Sequence, residues 1–222
     1  MAKNFRLVVL MFFTLLSLSF TLRADDYYDA DEEVVRQGQF EDWYRIFKRG
    51  GHIMQKINGS IAPLKNSDET FLIRFDWAQA REEVKLNDIS DKQYHTNENK
   101  KPIPFDKVKN DILSDVIKLF NDKSQTATLT RDNSGDIRYE IVVIPYVYEY
   151  RIYKYMKKDS FFMRLAGIVE FIDKDKNEIM SRMAFHYFWG NEFRSAEDIT
   201  VGWNHIAAEL AGALEKKIRK GK

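Results

Sequence analysis

The 222-residue chain contains no cysteine. That absence excludes a disulfide framework, a thiolate metal site, a cysteine nucleophile and a lipid-modified amino-terminal cysteine. An excess of one charge is lacking as well, with 35 Lys+Arg against 34 Asp+Glu, so neither polybasic nucleic-acid binding nor a disordered acidic tail fits. Four prolines and ten glycines are too few for fibrous or low-complexity architectures. Catalytic signatures are missing too: there is no Gly-x-Ser-x-Gly elbow, no phosphate loop ending in Lys-Ser or Lys-Thr, and no spaced-glycine dinucleotide motif. What is present is 44% apolar and 14% aromatic residues, enough for a compact core without cross-links.

Long apolar runs are confined to one place. Lys3 and Arg6 precede an uncharged stretch from Leu7 to Leu22, which meets Arg23-Ala24 and then the acids Asp25 and Asp26. This is the pattern of a secretory signal peptide over 1–24. At ~1.5 Å per residue such a helix spans roughly 24 Å, short of a hydrocarbon core of ~30 Å. Cleavage after Ala24 is expected, which makes the mature protein periplasmic or secreted and the membrane only a transient partner.

Beyond that point, 25–38 reads as an acidic flexible lead-in and 39–222 as a single α/β domain. Phe40, Trp43, Tyr44 and Phe47 recur at helical spacing before Gly50-Gly51, predicting a short helix over 39–49. Ile53, Ile57 and Ile61 are divided by Asn58-Gly59, a hairpin signal. Phe71, Ile73, Phe75 and Trp77 alternate with polar residues and predict a half-buried strand over 71–77. Phe105, Val108, Ile112, Val116 and Leu119 mark the apolar stripe of a helix over 105–121. Three β-rich runs follow at 139–150, 161–172 and 179–189, the last two joined by the polar turn 173–178. Pro145 removes one ladder donor from the first of them, favouring an edge strand or a bulge. Trp203, Ile206, Ala207, Leu210, Leu214 and Ile218 stripe a closing helix whose last turns carry Lys216, Lys217, Arg219 and Lys220, where cations suit the helix dipole. The predicted class is α+β: a four-stranded mixed sheet packed against two amphipathic helices as a two-layer sandwich, with a short helical extension at the amino terminus.

The order strand, helix, three strands, helix behind a signal peptide resembles the α/β domain of the curli-secretion lipoprotein family and the amino-terminal domain of the Tol-system propeller proteins. The Phe71-to-Trp77 strand with its FDW, the segment Gly167-Ile-Val-Glu-Phe-Ile-Asp173 and the Ala/Leu-rich last helix resemble related families of Gram-negative envelope domains of unknown function. The resemblance covers roughly 70–220. It implies a fold and an envelope setting, with envelope proteins as partners, and it implies no catalytic residue. The lipidation cysteine and the propeller repeats of those relatives are absent here.

Four constellations are candidate sites. Asp173, Asp175, Asn177 and Glu178 imitate the start of a calcium loop, but its sixth and twelfth positions hold Glu178 and Ala184 instead of Gly and Glu, so the segment reads as a solvated turn. His205 and Glu209 are four apart on the last helix, yet nothing in the sequence brings a third ligand to them, and a surface-histidine reading is preferred; His52, His95 and His186 lie in other segments. His186, between aromatic neighbours, reads as a hydrogen-bonded sheet residue rather than a general base. The dense run Tyr146, Tyr148, Tyr150, Tyr153 and Tyr155 is the best functional lead, with Tyr148, Tyr150, Tyr153 and Tyr155 expected to be partly exposed and to anchor a partner protein.

The expected function is therefore a non-enzymatic interaction domain in envelope assembly, secretion or transport, with no cofactor, no metal and no nucleic acid. A hydrolase with dispersed carboxylates is the first alternative, for which two carboxyls facing into a cleft would speak. A small-ligand carrier with a cavity between sheet and helices is the second. Protein purified from the envelope should begin at Asp25 by intact mass; retention of 1–24 together with a need for detergent would show an uncleaved anchor instead.

Overall fold

A computed structural model describes residues 24–47, 52–78, 80–84, 105–133, 135–155, 158–192 and 196–222. Apart from Ala24, the expected signal peptide lies outside the described residues. The chain divides into two compact units, Met1–Arg45 and Ile46–Lys222. In the first, helix α1 (Ala24–Phe47) takes in both the expected short helix and the acidic stretch read as a flexible lead-in. Proline is absent from this stretch and its acids sit in the first turns, where the helix dipole favours them. Within α1 the ring of Phe40 stacks on Tyr44 at 5.1 Å and meets Trp43 at 6.5 Å. No described helix is long and apolar enough to cross a membrane.

The second unit is a mixed sheet with two helices on one face. Its strands are β1 (Ile53–Gly59), β2 (Thr70–Phe75), β3 (Arg81–Val84), β4 (Thr128–Thr130), β5 (Tyr139–Tyr155), β6 (Lys158–Asp173) and β7 (Glu178–Glu192); its helices are α2 (Phe105–Lys123) and α3 (Ala196–Lys220). Six strands run in the order β1-β7-β6-β5-β2-β4, and β3 pairs with the far part of β5 off that path. The two-layer α+β class stands as expected, while the four-stranded sheet does not. The missed strands were too short or too polar to show a two-residue period: β4 is TLT and β3 is REEV. The Asn58-Gly59 signal marks no hairpin. Gly59, with φ +71°, closes β1, and an added Cβ there would meet the Met180 carbonyl oxygen of the neighbouring strand.

The core sits between the sheet and α2 and α3. Every residue of the expected α3 stripe is buried, and in α2 Ile112 and Val116 are joined by Phe120. They meet Phe71 and Ile73 of β2, Ile141 and Val143 of β5, Met163, Leu165, Val169 and Phe171 of β6, and Met183, Phe185 and Tyr187 of β7. These sheet residues alternate along each strand, so one face belongs to the helices.

Pro145 lies inside a central strand rather than at an edge, at a β-bulge between Pro145 and Val147 opposite Gly167 of β6. The close approach explains the glycine: a Cβ on Gly167 would run into the Ile144 carbonyl oxygen and lie 2.8 Å from Pro145 Cα. The bulge adds one residue to β5 and reverses which side chains face the helices beyond it. Ile141 and Val143 point to the helix layer before it, and Tyr148 does so after it. Both parallel partners of β5 are divided at the same place, β2 pairing with 139–143 and β3 with 147–150.

At the β6–β7 turn, Arg138 forms a fork to Asp173, with Nε–Oδ1 3.1 Å and Nη2–Oδ2 2.7 Å, and lies 3.5 Å from Asp175. The guanidinium holds the Asp173 carboxyl below its ordinary value. These acids are matched by a protein cation, in keeping with the turn reading. Replacing Gly167 with Ala forces the bulge apart and should cost on the order of 2 kcal/mol, read as a lower urea midpoint with unchanged far-ultraviolet circular dichroism.

Candidate functional site

A cleft of ligand-binding size, about 470 Å³, opens between the sheet and α3. Met54 of β1 and Tyr187 of β7 come to it from the sheet, Ala208, Glu209, Gly212, Ala213, Lys216, Lys217 and Lys220 from α3, and Lys123 from the end of α2; His52 and Lys222 complete the wall. The sequence builds it simply. Met54 pairs with Phe185 in the β1–β7 ladder, which sets His52 near Tyr187. The small residues Ala208, Gly212 and Ala213 leave room along α3, and the Lys123 Nζ passes 3.4 Å from where a Gly212 Cβ would stand.

Electrostatically the cleft is cationic at one end. Lys123, Lys216, Lys217, Lys220 and Lys222 share it with a single carboxylate, Glu209. None of these five lysines forms an ion pair among the described residues, whereas Arg219 beside them is held by Glu215 at 2.7 Å. Partial burial, with the like charges of Lys216 and Lys56 added, holds the Lys217 ammonium below the usual lysine value. Tyr187 is 2% exposed, and its buried hydroxyl has no hydrogen-bond partner among the described residues. Burial first and the Glu209 charge second push its phenol far above the ordinary tyrosine range, so the group is a neutral donor at any physiological pH. A pocket lined by ammonium groups that form no ion pair among the described residues suits an anion.

At the other end of the cleft the structure supplies what the sequence seemed to lack. His52, just before β1, brings a ring nitrogen to His205 and Glu209, one ligand atom of each lying within 4.8 Å of the others. His52 Nδ1 is 3.6 Å from Glu209 Oε2 and His205 Nε2 is 3.8 Å from Glu209 Oε1. The i, i+4 spacing of His205 and Glu209 was visible, but their third partner comes from a remote segment that only the β1–β7 pairing brings near. Of the cleft lysines, the sequence marks Lys216, Lys217 and Lys220 only as dipole-matched helix-end cations, and it gives no signal for Lys123 or Lys222.

The tyrosine lead fares differently. Tyr148 is 4% exposed and belongs to the core: it stacks on Trp203 of α3 at 5.0 Å and 14°, with Trp77 edge-on at 6.5 Å. The expectation of an exposed ring is corrected for this residue, because the bulge after Pro145 turns it under α3. Tyr150, Tyr153 and Tyr155 lie on β5 opposite Met163, Ser160 and Lys158 of β6, and their side chains are outside the described residues. His186 lies on β7, the strand position that the sequence suggested, and is buried there.

No family model matches the chain, and no curated protein matches it. Among solved structures it is similar to a PelC dodecamer from Paraburkholderia phytofirmans, with 10% identity, 77% of this chain and 99% of that chain covered, and a TM-score of 0.40. It is also similar to a minor lipoprotein from Acinetobacter baumannii, with 12% identity, 68% and 90% covered, and a TM-score of 0.38. Likeness this distant says nothing about what the cleft binds.

Leaving a buried hydroxyl without a partner costs about 1–3 kcal/mol. Tyr187→Phe should therefore raise the urea midpoint of the ligand-free protein; a marked fall would show that the hydroxyl is bonded within the fold.

Proposed function

We propose that the protein is a non-enzymatic binding domain of the cell envelope and that its lysine-lined cleft takes an anionic ligand carrying a phosphate or carboxylate group. The observation that carries this reading is the convergence of five lysines, against a single carboxylate, on a cleft of about 470 Å³. That volume falls within the range of small-molecule sites, roughly 300–1,000 Å³. The extracytoplasmic setting rests on the amino-terminal segment, where basic residues, an apolar run and Ala24 form a secretory signal pattern. Among the described lining residues only Glu209 is a carboxylate, which favours binding over the hydrolase alternative, since that chemistry calls for a pair. Envelope proteins are the proposed partner class, with Tyr150, Tyr153 and Tyr155 of β5 as candidate anchors.

Calorimetric titration in metal-free buffer tests the cleft, with inorganic pyrophosphate as the phosphate probe and a short oligouronate as the carboxylate probe. Saturable binding of either probe, weakened about tenfold by Lys216→Ala with Lys220→Ala and further by added salt, supports the reading, since one charge-assisted contact is worth about 1.5–3 kcal/mol. Flat titrations with both probes, or equal affinity in the double variant, would remove it.

A further inference from the structure

We propose that His52, His205 and Glu209 form a site for a single divalent transition metal ion, zinc in the first instance, at the end of the cleft away from the lysines of the last turn. Two imidazoles and one carboxylate are a nitrogen and oxygen donor set suited to Zn²⁺, Ni²⁺ or Cu²⁺ and ill suited to Mg²⁺ or Ca²⁺. The spacing agrees with the chemistry. Ligand atoms about 2.0 Å from a tetrahedral ion stand about 3.3 Å from one another, and the nitrogen-to-oxygen separations here are 3.6 and 3.8 Å. Both exceed a good hydrogen bond, so the two histidines face the two oxygens of one carboxylate without being bonded to it. A small side-chain adjustment closes the three groups around an ion.

The ligands are also held in place. His205 sits one helical turn before Glu209 on α3, and the Trp189 ring lies against its imidazole at 3.9 Å. His52 is packed edge-on against Phe188 at 4.8 Å and Tyr187 at 6.0 Å. All three ligand side chains keep access to solvent, with relative exposures of 28%, 34% and 41% for His52, His205 and Glu209, so an ion can enter without unfolding the site. Three protein ligands leave a fourth position, and since His52 and Glu209 line the cleft, that position is open to water or to a donor atom of whatever the cleft holds. This inference is independent of the anion reading, which needs only the lysines.

The test uses untagged protein, freed of metal with a chelator and titrated with Zn²⁺ by calorimetry and with Cu²⁺ by tryptophan fluorescence. The expected result is one equivalent of Zn²⁺, binding at least about tenfold weaker in each of His52→Ala, His205→Ala and Glu209→Gln, with melting curves of the metal-free variants close to the parent. Cu²⁺ should quench fluorescence in the parent and do so much less in Trp189→Phe, since the ring adjoins the ligand His205. Lys216→Ala with Lys220→Ala should keep the zinc affinity while weakening the anion, which separates the two sites. A parent protein that takes up no Zn²⁺ at 100-micromolar concentrations, on the order of 10⁻⁴ M, or three ligand variants that bind it as the parent does, would overturn the proposal.

Discussion

The arrangement of this protein depends on the close approach of Pro145 to Gly167. A proline in the middle of a central strand cannot donate to the ladder, and β5 accommodates it with one extra residue opposite a glycine that has no side chain to obstruct the backbone. The consequence is a change of parity. Beyond the bulge Tyr148 faces the helices, and its ring lies parallel to Trp203 near the start of α3. That contact seats α3 on the sheet, and α3 then carries His205, Glu209 and the lysines to the cleft wall. The same bulge divides the edge of β5 between two short parallel partners, β2 before it and β3 after it.

Register along the long strands is guarded by buried charge. Glu170 stands directly opposite Arg182, with Nε–Oε1 2.8 Å, and Glu149 directly opposite Arg164, with Nε–Oε2 3.3 Å. Both carboxylates are buried. Ion pairs of this kind add little net stability, but a slip of one residue would separate each pair and leave charges uncompensated away from water. Such pairs specify one alignment of β5, β6 and β7, which matters because Tyr187 reaches the cleft floor only in that alignment.

The cleft illustrates how a stable fold leaves groups unused. Small residues on α3 open a space beside β7, and the helix end, already rich in lysine, raises the potential within it. A histidine pair facing Glu209 stands at the far end. The exposed lysines keep their hydration, and it is the positive potential they set over the cleft that is the physical basis for reading it as an anion site.

What the sequence determined by itself was local. The apolar stripe of Trp203, Ile206, Ala207, Leu210, Leu214 and Ile218 is buried throughout, and the β6–β7 hairpin closes on its polar turn with Asn177 at φ 50°; both follow from side-chain periods within one segment. Pro145 announced a bulge, although whether it lay at an edge depended on neighbours that no local pattern names. The short strands β3 and β4 exist because β5 and β2 offer them ladder partners, not because REEV or TLT favours a strand. Tertiary structure alone decided that Tyr148 is core, since a parity reversal at one residue is invisible to period counting. It alone decided, too, that His52 stands beside His205 and Glu209: helical spacing joins the last two, and only the pairing of Ile53 with His186, across most of the chain, brings the first. Periodicity records which face of a segment avoids water, whereas a site records which segments meet, and that is settled by long-range register and packing.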